Sequence, residues 1–112
     1  MWMLVYFLNE DHFLEEILEE FLETGIPGAT ILEGTGMLHY LSEEVPIFAG
    51  FRSIVKGTMP RNKVLLSVIR EREKVDSALA SIDRIVGGLA KGDHGVALTL
   101  RVEDFKGPAA RD

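Results

Sequence analysis

The sequence predicts a single α+β domain: a four-stranded antiparallel sheet with two main helices on one side. Three observations carry this. Short apolar runs and helix-period segments follow one another as strand, helix, strand, strand, helix, strand. A hydrophobic fraction of 46% in 112 residues is enough for one core, so residues 1–112 read as one domain. One connection, between the second and third strands, is far longer than the others.

The first strand is the apolar run from Met1 to Leu8. It lacks the basic start and small-residue cleavage site of a signal peptide, and it falls short of the roughly 20 residues that span a bilayer. A buried central strand is expected instead. Asn9 or Asp11 then caps a helix running to about Glu23. Phe13, Leu14, Ile17, Leu18, Phe21 and Leu22 form its apolar stripe, with Glu15, Glu16, Glu19, Glu20 and Glu23 opposite. Gly25 ends the helix and Pro27 keeps it from resuming. The second strand covers about Ala29 to Glu33.

Residues 34–62 form the long connection, well beyond the usual length of about 4–6 residues, which marks it as functional. Within it, Ser42-Glu43-Glu44-Val45-Pro46 reads as a helix start. A short helix from Pro46 to about Ile54 is predicted, with Ile47, Phe48, Phe51 and Ile54 as its apolar face. The third strand covers about Lys63 to Ile69. A second main helix from about Glu73 to Val86 buries Val75, Leu79, Ile82 and Val86, and Gly87-Gly88 stop it. The polar turn Lys91-Gly92-Asp93-His94-Gly95 leads into the fourth strand, about Val96 to Val102. Residues 103–112 have no periodicity and are expected to be a loose tail.

This order is the split βαβ, ferredoxin-like βαββαβ plan. Right-handed crossovers would place both main helices on one face and leave the other bare. Strand alternation separates Val96, Leu98, Leu100 and Val102 from Ala97, Thr99 and Arg101, and Val64, Leu66 and Val68 from Leu65, Ser67 and Ile69. The rows holding Ser67 and Thr99 are the more polar, so they are assigned to the bare face with Leu65, Ile69, Ala97 and one row of the first strand. Such a patch marks an interface, and a homo-oligomer packed through its sheet faces is expected. A monomer with a mildly apolar sheet is the alternative.

The net charge of −6 argues against nucleic acid as the main partner and against docking on anionic membranes. The absence of cysteine rules out disulfides and thiolate chemistry and fits a reducing cytoplasm. No Ser-His-Asp or Cys-His pattern and no Walker loop is legible, so no enzyme is expected. Glu43 and Glu44 are adjacent and point apart on a helix. Nothing in the sequence brings His12, His39 and His94 together, so no metal site is expected. His39 or His94 suits phosphate binding or pH sensing instead. Arg52, Lys56 and Arg61 are the basic residues of the long connection.

Two glycine-rich segments remain. Gly34-Thr35-Gly36 is either a ligand turn with glycines free to adopt positive φ or a bulge where the strand ends. Lys91 to Gly95 is either an anion cradle or a plain link between helix and strand. Phe48 and Phe51 read as packing residues of the long connection or as aromatic anchors for a partner.

The run Gly-Ile-Pro-Gly-Ala-Thr-Ile-Leu-Glu-Gly-Thr-Gly (Gly25 to Gly36), the long segment before Lys63 and the Lys91–Gly95 turn, in that order and spacing, resemble the PII (nitrogen regulatory protein P-II-like) signalling superfamily. The likeness covers about Met1 to Phe105. It implies a ferredoxin-like homotrimer that binds ATP, ADP or another small anionic metabolite in clefts between subunits, with no required cofactor. It also implies regulation of a target protein through the loop after the second strand, the T-loop. Carried onto this chain, the ligand contacts would be Gly34, Thr35, Gly36 and Met37 of one subunit with Lys91, Gly92, Asp93 and His94 of the next. Partner contacts would be His39, Tyr40, Phe48, Phe51 and Arg52. The chain departs from the family at three points. His94-Gly95 stand where the family has a lysine after Gly-Asp-Gly, Met37-Leu38 replace a glutamine, and the tail offers only Lys106 and Arg111 for the family's arginines. A ligand-free structural trimer is the alternative function.

Overall fold

Strand β1 (Trp2–Leu8) lies inside the sheet, antiparallel to β3 (Arg61–Ile69) on one side and to β4 (Val96–Arg101) on the other. Strand β2 (Thr30–Thr35) pairs antiparallel with the far edge of β3, giving the order β2-β3-β1-β4. The computed structural model describes residues 1–51 and 61–108. Its architecture is α+β, with three α-helices among the described residues: α1 (Leu14–Glu23), α2 (Met37–Glu44) and α3 (Arg72–Val86). Short 3₁₀ turns occupy Asp11–Phe13 and Pro46–Phe51.

Each main helix stops where its sequence stops supporting it. At the end of α1 the Thr24 hydroxyl donates to the carbonyls of Glu20 (2.6 Å) and Phe21 (3.1 Å). Gly25 then takes φ +85°, and Ile26 N–H donates back to Phe21 O at 2.7 Å. This closing bond turns the chain out of the helix and drops Ile26 into the core. Helix α3 ends the same way, with Gly87 left-handed and Gly88 N–H donating to Asp83 O at 2.8 Å. Arg84 and Glu20 pair across the two helices.

The core lies between these helices and one face of the sheet. Ile17 and Phe21 of α1 and Val75, Ala78, Ile82 and Val86 of α3 meet Leu4, Tyr6, Leu8, Leu65 and Ile69. By register, Ser67, Ala97 and Thr99 lie on that same face. The expectation for the two faces is therefore reversed. Leu65, Ile69, Ala97, Ser67 and Thr99 are on the helix side, and the bare side carries Met3, Val5, Phe7, Leu32, Val64, Leu66, Val68, Val96, Leu98 and Leu100. The reason is that the hydroxyls find acceptors indoors. Ser67 Oγ donates to Gly28 O at 2.6 Å, and Tyr6 Oη donates to His94 O at 2.7 Å. A satisfied hydroxyl costs little to bury, so it does not dictate which face meets water.

The long connection also differs from expectation. Strand β2 runs on through Gly34 and Thr35, and α2 begins at Met37, inside the stretch expected to be loop. Gly36 is its extended N-cap, and Tyr40 N–H closes the first turn on Gly36 O at 2.9 Å. Ser42 is buried and donates to His39 O at 3.0 Å. Pro46 opens a 3₁₀ turn rather than an α-helix, and that turn is the main packing partner of α2. The predicted continuation from residue 52 to Ile54 lies outside the described residues, as do Lys56 and residues 109–112.

Candidate functional site

The two glycine-rich segments occupy the same end of the sheet but opposite edges. β2 ends there with Gly34 opposite Asn62 and Thr35 opposite Arg61. β4 begins there, next to the end of β1. Three inter-strand spacings of about 4.8 Å separate the edges, so the segments stand roughly 14 Å apart.

At the β2 edge, Gly34 and Gly36 do not adopt positive φ, unlike Gly25, Gly87, Gly88, Gly92 and Gly95. This corrects the expectation of a left-handed Gly-Thr-Gly turn. Gly34 is needed for space instead: a Cβ there would collide with the Asn62 side-chain oxygen. That oxygen is buried without a hydrogen-bond partner among the described residues. Beside it, Lys63 pairs with Glu33. The hydrogen bond to Glu33 holds the Lys63 ammonium above its ordinary range, against a smaller opposing effect of desolvation, with the Glu33 and Asp11 charges adding to the rise.

The same edge opens into a cavity of about 590 Å³ lined by Thr35, His39, Tyr40, Glu43, Glu44 and Arg61. Ligand sites span about 300–1,000 Å³, so a small metabolite fits. Of the residues expected here, Thr35, His39 and Tyr40 come together. Met37 is strongly exposed at the start of α2, Phe48 is half-buried in the 3₁₀ turn, and Arg52 and the Phe51 side chain lie outside the described residues. Glu43, Glu44 and Arg61 were not predicted to share a site. The sequence places Arg61 far from Glu43, and only the pairing of Thr35 with Arg61 brings the start of β3 to the base of α2.

At the β4 edge, Lys91, Gly92 and Asp93 are exposed and His94 is half-buried. Gly92 (φ +73°) and Gly95 (φ +102°) are left-handed, so the expected glycine-rich turn is a true turn here. Gly95 also lies so close to the Phe7 carbonyl that a Cβ would clash. The β1–α1 junction grips this segment. Asn9 Nδ2 donates to Asp93 O at 3.0 Å, and His94 Nδ1 lies 2.5 Å from Glu10 Oε1. Phe13 meets the His94 ring edge-on at a centroid distance of 6.2 Å. Burial first, and the Glu10 charge second, push the Tyr6 phenol up to about 12. It therefore stays a neutral donor to His94 O across the physiological range.

The histidines are partly brought together. His12 Nε2 lies 3.8 Å from Glu10 Oε2, so His12 and His94 both face one carboxylate, while His39 lies apart in α2. Among the described residues no group of three or more His, Asp or Glu has the arrangement to hold a metal ion. No helix among them is long and apolar enough to cross a membrane. No protein-family model matches the chain, and no curated protein matches it.

Proposed function

We propose that this chain is a PII-like regulatory protein. In this reading it is a cytoplasmic ferredoxin-like homotrimer that binds a small anionic metabolite or adenine nucleotide, such as ATP or ADP, between subunits. It would act on a partner protein through the segment after β2. The element order and the strand order β2-β3-β1-β4 are compatible with the ferredoxin-like plan.

The observation that supports it best is the bare sheet face. Phe7, Val68, Leu98, Leu32, Leu100 and Val96 are 37–59% exposed in a contiguous patch across all four strands. Four strands of about six residues span roughly 19 by 20 Å, an apolar surface of the size that marks an interaction site. Copies that bury these faces against one another place sheet edges side by side. A ligand reaching both Thr35 and the Lys91–Asp93 turn then bridges two copies, because one chain keeps them about 14 Å apart. On the β2 side Arg61 suits an anionic group. Glu43 and Glu44 suit a positive one, such as an amine or a phosphate-bound metal ion.

Mass in solution tests the assembly, and thermal melts with ATP, ADP, AMP, cyclic nucleotides and 2-oxoglutarate test the ligand. A trimer is expected, and a ligand at 100 times its Kd adds about 2.7 kcal/mol. A stable single-chain species at micromolar concentration defeats the reading. An intact trimer that none of these compounds stabilises supports the alternative of a structural trimer, which the packing of α2 on its own 3₁₀ turn favours.

A further inference from the structure

We infer that Asn9 and Glu10 are positioning residues for the Lys91–Gly95 turn, holding its backbone in the shape that receives the anionic part of a ligand. This rests on the nucleotide-binding reading above and adds to it a role for the β1–α1 junction, which nothing else assigns to the site.

The turn has little to hold it in shape by itself. Its residues are mostly exposed, and two of them are left-handed glycines. A glycine-rich turn can present backbone N–H groups to an anion, but its glycines also give the chain the greatest freedom to leave that shape. Apart from Lys91 N–H, which donates to Gly88 O at 3.1 Å, the ties on this turn among the described residues come from one stretch of eight residues, Tyr6 to Phe13. Tyr6 Oη holds His94 O, Asn9 Nδ2 holds Asp93 O, the Glu10 carboxylate accepts from His94 Nδ1, and Phe13 flanks the His94 ring. The two backbone carbonyls are thus occupied from the β1 side, which leaves the opposite side of the turn for a ligand. His94 lies alongside Gly92, with its Nε2 edge against the position a Gly92 Cβ would take. The ring therefore supports the turn from beneath rather than projecting as a free cation. Glu10 spends one oxygen on this support. Removing it frees the ring and the turn together.

The test compares the unaltered chain with Glu10→Ala, Asn9→Ala and Glu10→Gln. Backbone ¹⁵N relaxation reads the turn, and calorimetric titration with ATP reads the ligand. In the unaltered chain, residues 92–95 are expected to be rigid, with order parameters near ~0.85, falling below ~0.6 in the two alanine variants. ATP is expected to bind those variants roughly tenfold more weakly, the size of effect expected from losing one hydrogen bond that orders the turn. Glu10→Gln keeps an acceptor for His94 Nδ1 and should restore both readouts, which a loss of general stability would not. Unchanged order parameters in Glu10→Ala and Asn9→Ala overturn the inference. So does a loosened turn that binds ATP as well as before. If the unaltered chain binds no ATP, the nucleotide reading itself is overturned and the positioning role with it. Equal binding by all four proteins overturns the positioning role alone.

Discussion

Across β1, β3 and β4 the helix-covered face of the sheet carries three hydroxyls, Tyr6, Ser67 and Thr99, among its apolar residues. The bare face, read along Met3, Val5, Phe7, Leu66, Val68, Leu98 and Leu100, carries none. The more polar row is the buried one. The helices cover Leu4, Tyr6, Leu8 and Leu65 to zero exposure, while Leu98 and Leu100 keep 38% and 53%. Polarity counted by residue type misjudges a face whenever a backbone carbonyl waits inside, as Gly28 O does for Ser67 and His94 O does for Tyr6. A face left apolar and open lacks a cover among the described residues.

The sharpest way to break this comparison is to truncate one leucine on each face. Leu65→Ala should cost about 2–5 kcal/mol in chemical denaturation, because it empties a fully packed site, and the loss should not depend on protein concentration. If another copy covers this face, as proposed, Leu98→Ala should cost an amount that changes with protein concentration. Equal, concentration-independent losses would show that the open face is merely exposed. Leu98→Lys goes further, setting a charge within the patch on its edge strand β4. Sedimentation should then find single chains that still fold.

A smaller effect belongs to the buried phenol. Tyr6→Phe removes one hydrogen bond and should cost about 1–2 kcal/mol at neutral pH. Folding raises the Tyr6 ionisation from its ordinary value near 10 to about 12, so the neutral form is favoured in the folded state. That contribution is whole below pH 10 and disappears as pH climbs through 12. The stability gap between the native chain and Tyr6→Phe should narrow across that window, and a gap that widens would contradict the assignment.

Of similar size is the effect at Gly34, the strand glycine of the β2 edge. Gly34→Ala should destabilise by about 1–2 kcal/mol, since the Asn62 side chain must move. In an Asn62→Ala background the same change should cost much less, so melts of the four proteins isolate the contact. The smallest effect is Glu33→Gln. It breaks the pair with Lys63 on an exposed edge, and any loss of stability should vanish in high salt.

Much of the fold was legible. The apolar run at Trp2–Leu8, the stripes of α1 and α3 apart from the exposed Leu22, the stops at Gly25 and Gly87 and the start of β4 all follow local rules that the structure keeps. Helix α2 escaped notice because Met37–Glu44 spans only eight residues and opens on a glycine cap, so periodicity had too little chain to act on. At the site, Thr35, His39 and Tyr40 could be singled out because they follow the glycine-rich strand end. Arg61 could not be joined to them, because its place depends on the register of β3 against β2. Asn9 or Asp11 read as the cap of the first helix, yet α1 starts after Phe13 with no side-chain cap, and Asn9 and Glu10 turn to the β4 edge instead. Their hold on Asp93 and His94, across more than eighty residues of chain, follows only from β1 and β4 lying side by side.

From residue order alone came the strands, the two main helices and the positions of the left-handed glycines at the ends of α1 and α3. These depend on forces between residues a few places apart: side-chain periodicity, capping and the freedom of glycine. Only the tertiary structure decided which row of β3 and β4 the helices cover, where Ser67 and Tyr6 find acceptors, and which distant residues share the two edges. Those outcomes depend on register and on carbonyls brought near from elsewhere in the chain, and no local pattern encodes them.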